Sequence, residues 1–294
     1  MIQKNNFTLI NPQTGNLAFK IYHLEKDNPF DHIQRLNYYS LIWIKKGNGS
    51  LKADFSEYEF KENMLLSFSP YQPFMLNPNA NVSGVVIHFH SDFFCIHKHH
   101  KEVACNGVLF NNIYTSPIVQ IEDEAAKNFE IIIDQFKDEI RKSAIAKYEL
   151  LISYLKIFLI TASRLKAEQQ TEAQKVTTNK EEPFILQNLK NYIETHYRSK
   201  HSASEYAKML AITPKALTRL TKAYFNKTLS DLISERIIIE AKRELYLTNK
   251  TIKEIAYELG YNDEYYFSRF FKKNADISPQ FYRESVGFDR ASVR

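Results

Sequence analysis

The chain has 294 residues, 44% hydrophobic and 25% charged, with 39 Lys and Arg against 34 Asp and Glu for a net charge of +5. That length and balance describe a globular chain of about two domains; 18 Tyr and 21 Phe supply core mass that disordered chains lack, and seven Gly with nine Pro exclude collagen-like or low-complexity sequence. Two cysteines, Cys95 and Cys105, cannot form a disulfide framework or a four-cysteine zinc site, and a surplus of five charges does not by itself identify a nucleic-acid partner.

Residues 1–11 lack a basic segment followed by an apolar one, so no signal peptide is read there. The most apolar run, 150–162, is broken by Ser153 and Lys156 and is too short to span a bilayer. A cytoplasmic bacterial protein with no membrane partner is expected. Residues 7–120 read as short strands at 39–44, 50–55, 58–60, 64–68, 73–76 and 83–89, separated by turn residues such as Ser69-Pro70 and Asn77-Pro78. The first two flank Lys45-Lys46-Gly47-Asn48-Gly49, where a hairpin is expected. Strands at this spacing, with no helical pattern between them, suggest a sandwich or small barrel.

From 121 the period changes to that of a helix. Phe129, Ile132, Ile133, Phe136 and Ile140 share one face, and a second helix over 144–165 carries Tyr148, Leu151, Leu155, Phe158 and Leu159. Tyr154, Ile157 and Ile160 lie elsewhere on that second helix, so it wants two neighbours: the strand domain can be one, and a second copy of the chain is the candidate for the other, with plain packing inside one chain as the alternative. Residues 121–166 are therefore read as a dimerisation segment. Residues 167–183 are nearly free of large apolar side chains and read as a linker. Beyond it, residues 181–294 hold 19 Lys and Arg against 15 Asp and Glu, a net of +4, leaving +1 for the rest.

The C-terminal part reads as all helix and repeats internally. Glu205, Ala207 and Leu210 recur as Glu254, Ala256 and Leu259; Leu217, Thr218, Arg219 and Lys222 recur as Phe267, Ser268, Arg269 and Lys272. Each copy is a helix, a tight turn and a second helix. The small Ala207 and Ala256 allow a close crossing, and Leu210 with Leu217, or Leu259 with Phe267, forms the core between. Thr213, with Pro214 after it, is a good N-cap, and Asn262 or Asp263 can cap the second copy. The outer face of each second helix is polar, as a major-groove reader requires.

The run Thr251-Ile-Lys-Glu-Ile-Ala-Tyr-Glu-Leu-Gly-Tyr-Asn-Asp-Glu-Tyr-Tyr-Phe-Ser-Arg-Phe-Phe-Lys-Lys273, followed by Ser278-Pro279-Gln280-Phe281-Tyr282-Arg283, resembles the signature of the AraC/XylS transcription regulators, and residues 204–219 resemble that family's first helix-turn-helix. The resemblance covers about residues 184–286. It implies an α+β multidomain chain: a cupin-like effector-binding β-barrel over 1–120, dimerisation helices over 121–166, and an all-α DNA-binding domain over 184–287 with helix-turn-helix units at 203–225 and 252–274. It implies base contacts from Lys215, Thr218 and Arg219 in the first unit and from Glu264, Tyr265, Ser268 and Arg269 in the second. Glu264 can accept from a cytosine amino group. Lys222, Lys272 and Lys273 fall to phosphates, which position without specifying; for Arg219 and Arg269 an internal ion pair or a phosphate contact is the alternative. Asn226 and Asp276 stand where the family usually has Gly, and both tolerate the left-handed conformation that ends a helix. The partners implied are double-stranded DNA, a small-molecule effector, a second copy of the chain and, for an activator, RNA polymerase.

His88 and His90 sit two apart in a strand. No Glu follows at the offset that a cupin metal site uses, so they read as polar-face or solvent-facing histidines, with no metal and no cofactor expected. With no Gly-rich phosphate loop and no HExxH motif either, the chain is not read as an enzyme. Side chains that could line an effector pocket are Tyr22, His32, Arg35, Tyr39, Trp43, Lys46, Tyr71 and His88.

Overall fold

A computed structural model describes residues 6–12, 15–25, 28–105, 107–176 and 184–286. The chain divides into two compact units: Met1–Asn112 with Ser116–Gln170, and Ile113–Thr115 with Thr171–Arg294.

In chain order the first unit contains strands β1 (Asn6–Ile10), β2 (Leu17–Leu24), β3 (Tyr39–Lys46), β4 (Gly49–Ala53), β5 (Ser56–Phe60), β6 (Met64–Phe68), β7 (Phe74–Pro78) and β8 (Ser83–Phe89), the short helix α1 (His100–Val103), strand β9 (Ile118–Gln120), helix α2 (Asp123–Arg141) and residues 147–170 of helix α3 (Lys147–Val176). The strands form an antiparallel six-stranded sheet, β1-β2-β8-β3-β6-β9, and a three-stranded one, β5-β4-β7. Among the described residues these are two sheets rather than one closed barrel. One face of the larger sheet presents Phe19, Ile21, Leu41, Trp43, Leu65, Val85, Ile87 and Phe89 to Phe129, Ile133 and Phe136 of α2 and Leu155 and Phe158 of α3. The other presents Leu24, Ile42, Ile44, Leu66, Phe68 and Val86 to Leu51, Ala53, Phe74 and Leu76 of the smaller sheet. Strands covered on both faces read as unbroken apolar runs rather than alternating ones, which is what Leu41–Ile44 and Val85–Ile87 do.

Two expectations are corrected. No hairpin forms across Lys45–Gly49. β3 already pairs with β6 on one side and β8 on the other, so it has no edge left for β4, and the loop carries the chain from one sheet to the other. The hairpin is β4–β5, turning at Asp54, whose φ is 50°. The expected linker is also shortened. α3 continues to Val176, because a segment without large apolar residues still holds good helix formers such as Ala, Glu, Gln and Lys; residues 177–183 lie outside those described.

The second unit is helical: α4 (Phe184–His196), α5 (Ala203–Met209), α6 (Pro214–Phe225), α7 (Leu229–Leu247), α8 (Ile252–Glu258), α9 (Glu264–Ala275) and α10 (Pro279–Ser285). α7 is its frame, burying Leu232, Ile233, Ile237, Ala241 and Leu245 and touching α4, α6, α8, α9 and α10. At 19 residues and 1.5 Å per residue it is about 28 Å long. Among the described residues no helix is long and apolar enough to cross a membrane.

Candidate nucleic-acid interface

Each repeat builds its helix pair with the same devices. Glu205 Oε2 accepts from the Ser202 backbone N–H at 3.1 Å and from its hydroxyl at 2.7 Å. Glu254 Oε2 does the same for Thr251, at 2.7 and 2.9 Å. These bonds satisfy donors at the helix start and hold both carboxyls below their ordinary pKa, since they favour the charged form. The outer helices are capped as the sequence suggests. Thr213 Oγ1 accepts from Ala216 N at 3.2 Å ahead of Pro214, and Asp263, rather than Asn262, accepts from Tyr266 N. At their far ends Asn226 and Asp276 take left-handed φ values of 55° and 62°.

The buried side of α6 is Leu217, Thr221 and Phe225, and that of α9 is Phe267, Phe271 and Ala275. What remains faces outward. On α6, Lys215, Arg219 and Lys222 are exposed and Thr218 is half-buried; on α9, Tyr265, Arg269, Lys272 and Lys273 are exposed and Glu264 and Ser268 are half-buried. Among the described residues neither Arg219 nor Arg269 has an ion-pair partner, so the internal pairing considered for them does not occur. Elsewhere in the unit arginines are engaged: Arg198, Arg236 and Arg243 all reach Glu240, within 3.2 Å, and Arg283 donates to the Leu245 and Lys250 carbonyls. The guanidinium groups left to solvent at equivalent repeat positions are thus a distinct pair. Sequence reasoning passed over Tyr266, which is 59% exposed with the Arg269 guanidinium 5.9 Å from its ring centre. Its signal was the doubled tyrosine at the start of the helix.

In the first unit the eight pocket candidates do not converge. Tyr22 and His88 meet on the face turned toward the smaller sheet: His88 Nε2 lies 3.2 Å from the Tyr22 hydroxyl, and its Nδ1 lies 2.9 Å from Ser40 Oγ. Burial, with Lys20 nearby, lowers the His88 pKa to about 3, so its ring is neutral. His88 and His90 are both buried, 3% and 2% exposed, which corrects the solvent-facing reading: His88 lies in β8, a central strand covered on both faces, while His90 falls just past the end of that strand rather than within it. Tyr39 and Trp43 point the other way, Tyr39 stacking on Phe89 and Trp43 meeting Phe129 edge-on, because odd and even positions of β3 face opposite sides. His32 and Lys46 are exposed, Arg35 is half-buried and Tyr71 is buried. A cavity of about 340 Å³ lies beside α2, lined by Trp43, Lys45, Asn63, Asp123, Ala126, Lys127 and Glu130. Of the eight, Trp43 borders it. Cys95 and Cys105 are buried, and burial pushes the Cys105 thiol up to about 12.

Comparison with known proteins gives a family match that lies within this second unit. A family described as a helix-turn-helix domain matches residues 206–285. The HTH-type transcriptional activator Btr of Bacillus subtilis is 34% identical over 84 residues, which are 29% of this chain and 16% of Btr. The regulatory protein SoxS of Escherichia coli is 32% identical over 102 residues, 35% of this chain and 95% of SoxS. Among solved structures, ToxT of Vibrio cholerae is 17% identical with a TM-score of 0.39, over 96% of this chain and 96% of that one.

Proposed function

Because the chain belongs to the AraC/XylS family of transcription regulators, we propose that it binds double-stranded DNA in a sequence-specific way through α6 and α9 and thereby regulates transcription. The observation that carries this reading is the pair of exposed, unpaired arginines, Arg219 and Arg269, at equivalent positions on two outward helix faces. A guanidinium presented this way suits the O6 and N7 acceptors of guanine. Lys215, Thr218, Glu264, Tyr265 and Ser268 read bases beside them, and Lys222, Lys272 and Lys273 sit on phosphates. Successive major grooves on one face of DNA are about 34 Å apart, and a frame helix of about 28 Å suits two readers entering them.

The first unit acts as the regulatory part, modulated by a small molecule, and residues 121–166 pair two copies. The exposure of Leu150 and Ile157, two turns apart on α3, supports the pairing. If the protein activates, RNA polymerase is a further partner. No step of this reading involves catalysis.

A gel shift on a selected binding site at fixed salt tests it. Arg219→Ala and Arg269→Ala should each cost roughly tenfold or more in affinity, about 1–3 kcal/mol, with the fold intact by circular dichroism. Lys222→Ala should instead weaken all sequences alike and lower the slope of log affinity against log salt by about one. Unchanged affinity in both arginine variants would remove the assignment.

A further inference from the structure

We infer that Thr218 recognises a thymine through its methyl group, so that the first helix-turn-helix selects that base by an apolar contact; this rests on the DNA-binding reading above. Thr218 and Ser268 occupy equivalent places in the repeat, and both are half-buried at the edge of the outward face. Their chemistry differs. Thr218 Oγ1 donates to the carbonyl oxygen of Pro214, one turn earlier, at 2.9 Å. That bond uses the hydroxyl's single hydrogen and draws the oxygen back along the helix, a conformation threonine commonly takes in helices. The other branch at Cβ, the methyl, is then the group presented to a partner.

A hydroxyl whose hydrogen is committed cannot donate to the N7 and O6 of guanine or the O4 of thymine. In the major groove thymine alone presents a methyl group, at C5, and a small apolar group is its complement. Lys215, Arg219 and Lys222, exposed around Thr218, hold the helix against the duplex. Ser268 has no methyl, and among the described residues its hydroxyl has no hydrogen-bond partner. The second helix therefore reads the corresponding base by hydrogen bonding, and the two heads differ in kind at one repeat position.

The experiment uses the full chain. A binding site is first selected from random duplex DNA. Each thymine in it is then replaced singly by deoxyuridine, which removes the C5 methyl and keeps every hydrogen-bonding group. At one position in the half read by α6, deoxyuridine should weaken binding about fourfold; burying one methyl contributes about 0.8 kcal/mol and 1.4 kcal/mol is tenfold. Thr218→Val, which keeps the methyl branch, should retain both the thymine preference and the deoxyuridine penalty. Thr218→Ser, which keeps the hydroxyl, should lose both while penalties at other thymines stay. Circular dichroism and melting of each variant confirm that it folds.

The opposite pattern, with the preference kept in Thr218→Ser and lost in Thr218→Val, assigns recognition to the hydroxyl and overturns the inference. So does a selected site at which neither variant nor deoxyuridine changes anything. A chain that selects no DNA sequence overturns the DNA-binding reading as well, and so separates the two failures.

Discussion

Gly260→Ala is the most informative single change in the second unit. Gly260 ends α8 with φ at +82°, and a Cβ built there would lie 2.0 Å from the Arg198 carbonyl oxygen and 3.2 Å from a ring carbon of His201. An ordinary contact needs at least about 3.4 Å, so either the α8–α9 turn or the segment after α4 must move by more than 1 Å. Left-handed backbone costs a non-glycine residue roughly 1–2 kcal/mol, and overpacking a close contact costs roughly 1–3 kcal/mol. A loss of about 3 kcal/mol is expected, or roughly 10 °C or more in the melting of a unit of about a hundred residues. The first repeat supplies the internal control. There the equivalent residue is Ala211, already at φ 54°, so Ala211→Gly should relieve strain and gain up to about 1 kcal/mol. Far-UV circular dichroism reports mainly the helices, while the single tryptophan, Trp43, lies in the first unit and reports that unit by fluorescence. Gly260→Ala should lower the helical transition and leave the tryptophan transition in place. A shift below about 1 kcal/mol, or a comparable loss in Ala211→Gly, would refute the reasoning.

Two further outcomes follow from the bonds described. Thr251→Ala removes the hydroxyl that caps α8 by accepting from the Glu254 N–H and donating to its carboxylate, and should cost about 1 kcal/mol in the same helical transition. His88 gives the first unit an acid sensitivity. Its folded-state pKa, about 3, lies below the 6.5 of the unfolded chain, so the unfolded state takes up the proton first. Its contribution is complete above pH 6.5 and declines by about 1.4 kcal/mol per pH unit as the pH falls toward 3. Measured by Trp43 fluorescence in urea, the stability of wild type should fall more steeply between pH 6 and 4 than that of His88→Gln. Parallel slopes would contradict the buried neutral ring.

The helical half was legible because its determinants are local. Thr213 before Pro214 and the stops at Asn226 and Asp276 act within a turn of the residues that they cap, and each does in the structure what its residue type allows; Ser202 with Glu205 and Thr251 with Glu254 are equally local but went unread. The repeat then set the equivalence of Arg219 with Arg269 before any coordinates. Tyr266 escaped because a tyrosine three residues into a helix carries no sign of whether it is covered, and exposure is settled by what else packs nearby.

The strand half was less legible because pairing is not local. Periodicity gave most of the strands, but a sequence does not say which edge is free, so the loop at Lys45–Gly49 looked like a hairpin and is a crossing between sheets. For the same reason the pocket candidates could be named but not placed: alternation separates Tyr39 and Trp43 from Tyr22 and His88, and only the covering of both faces of the larger sheet decides that His88 is buried and neutral. The sequence by itself thus determined the two parts, the repeat, the helix starts and stops and the residues of the outer helix faces. Tertiary structure decided the sheet pairing and the lack of an ion-pair partner for Arg219 and Arg269, because each depends on side chains and strand edges far away in the chain.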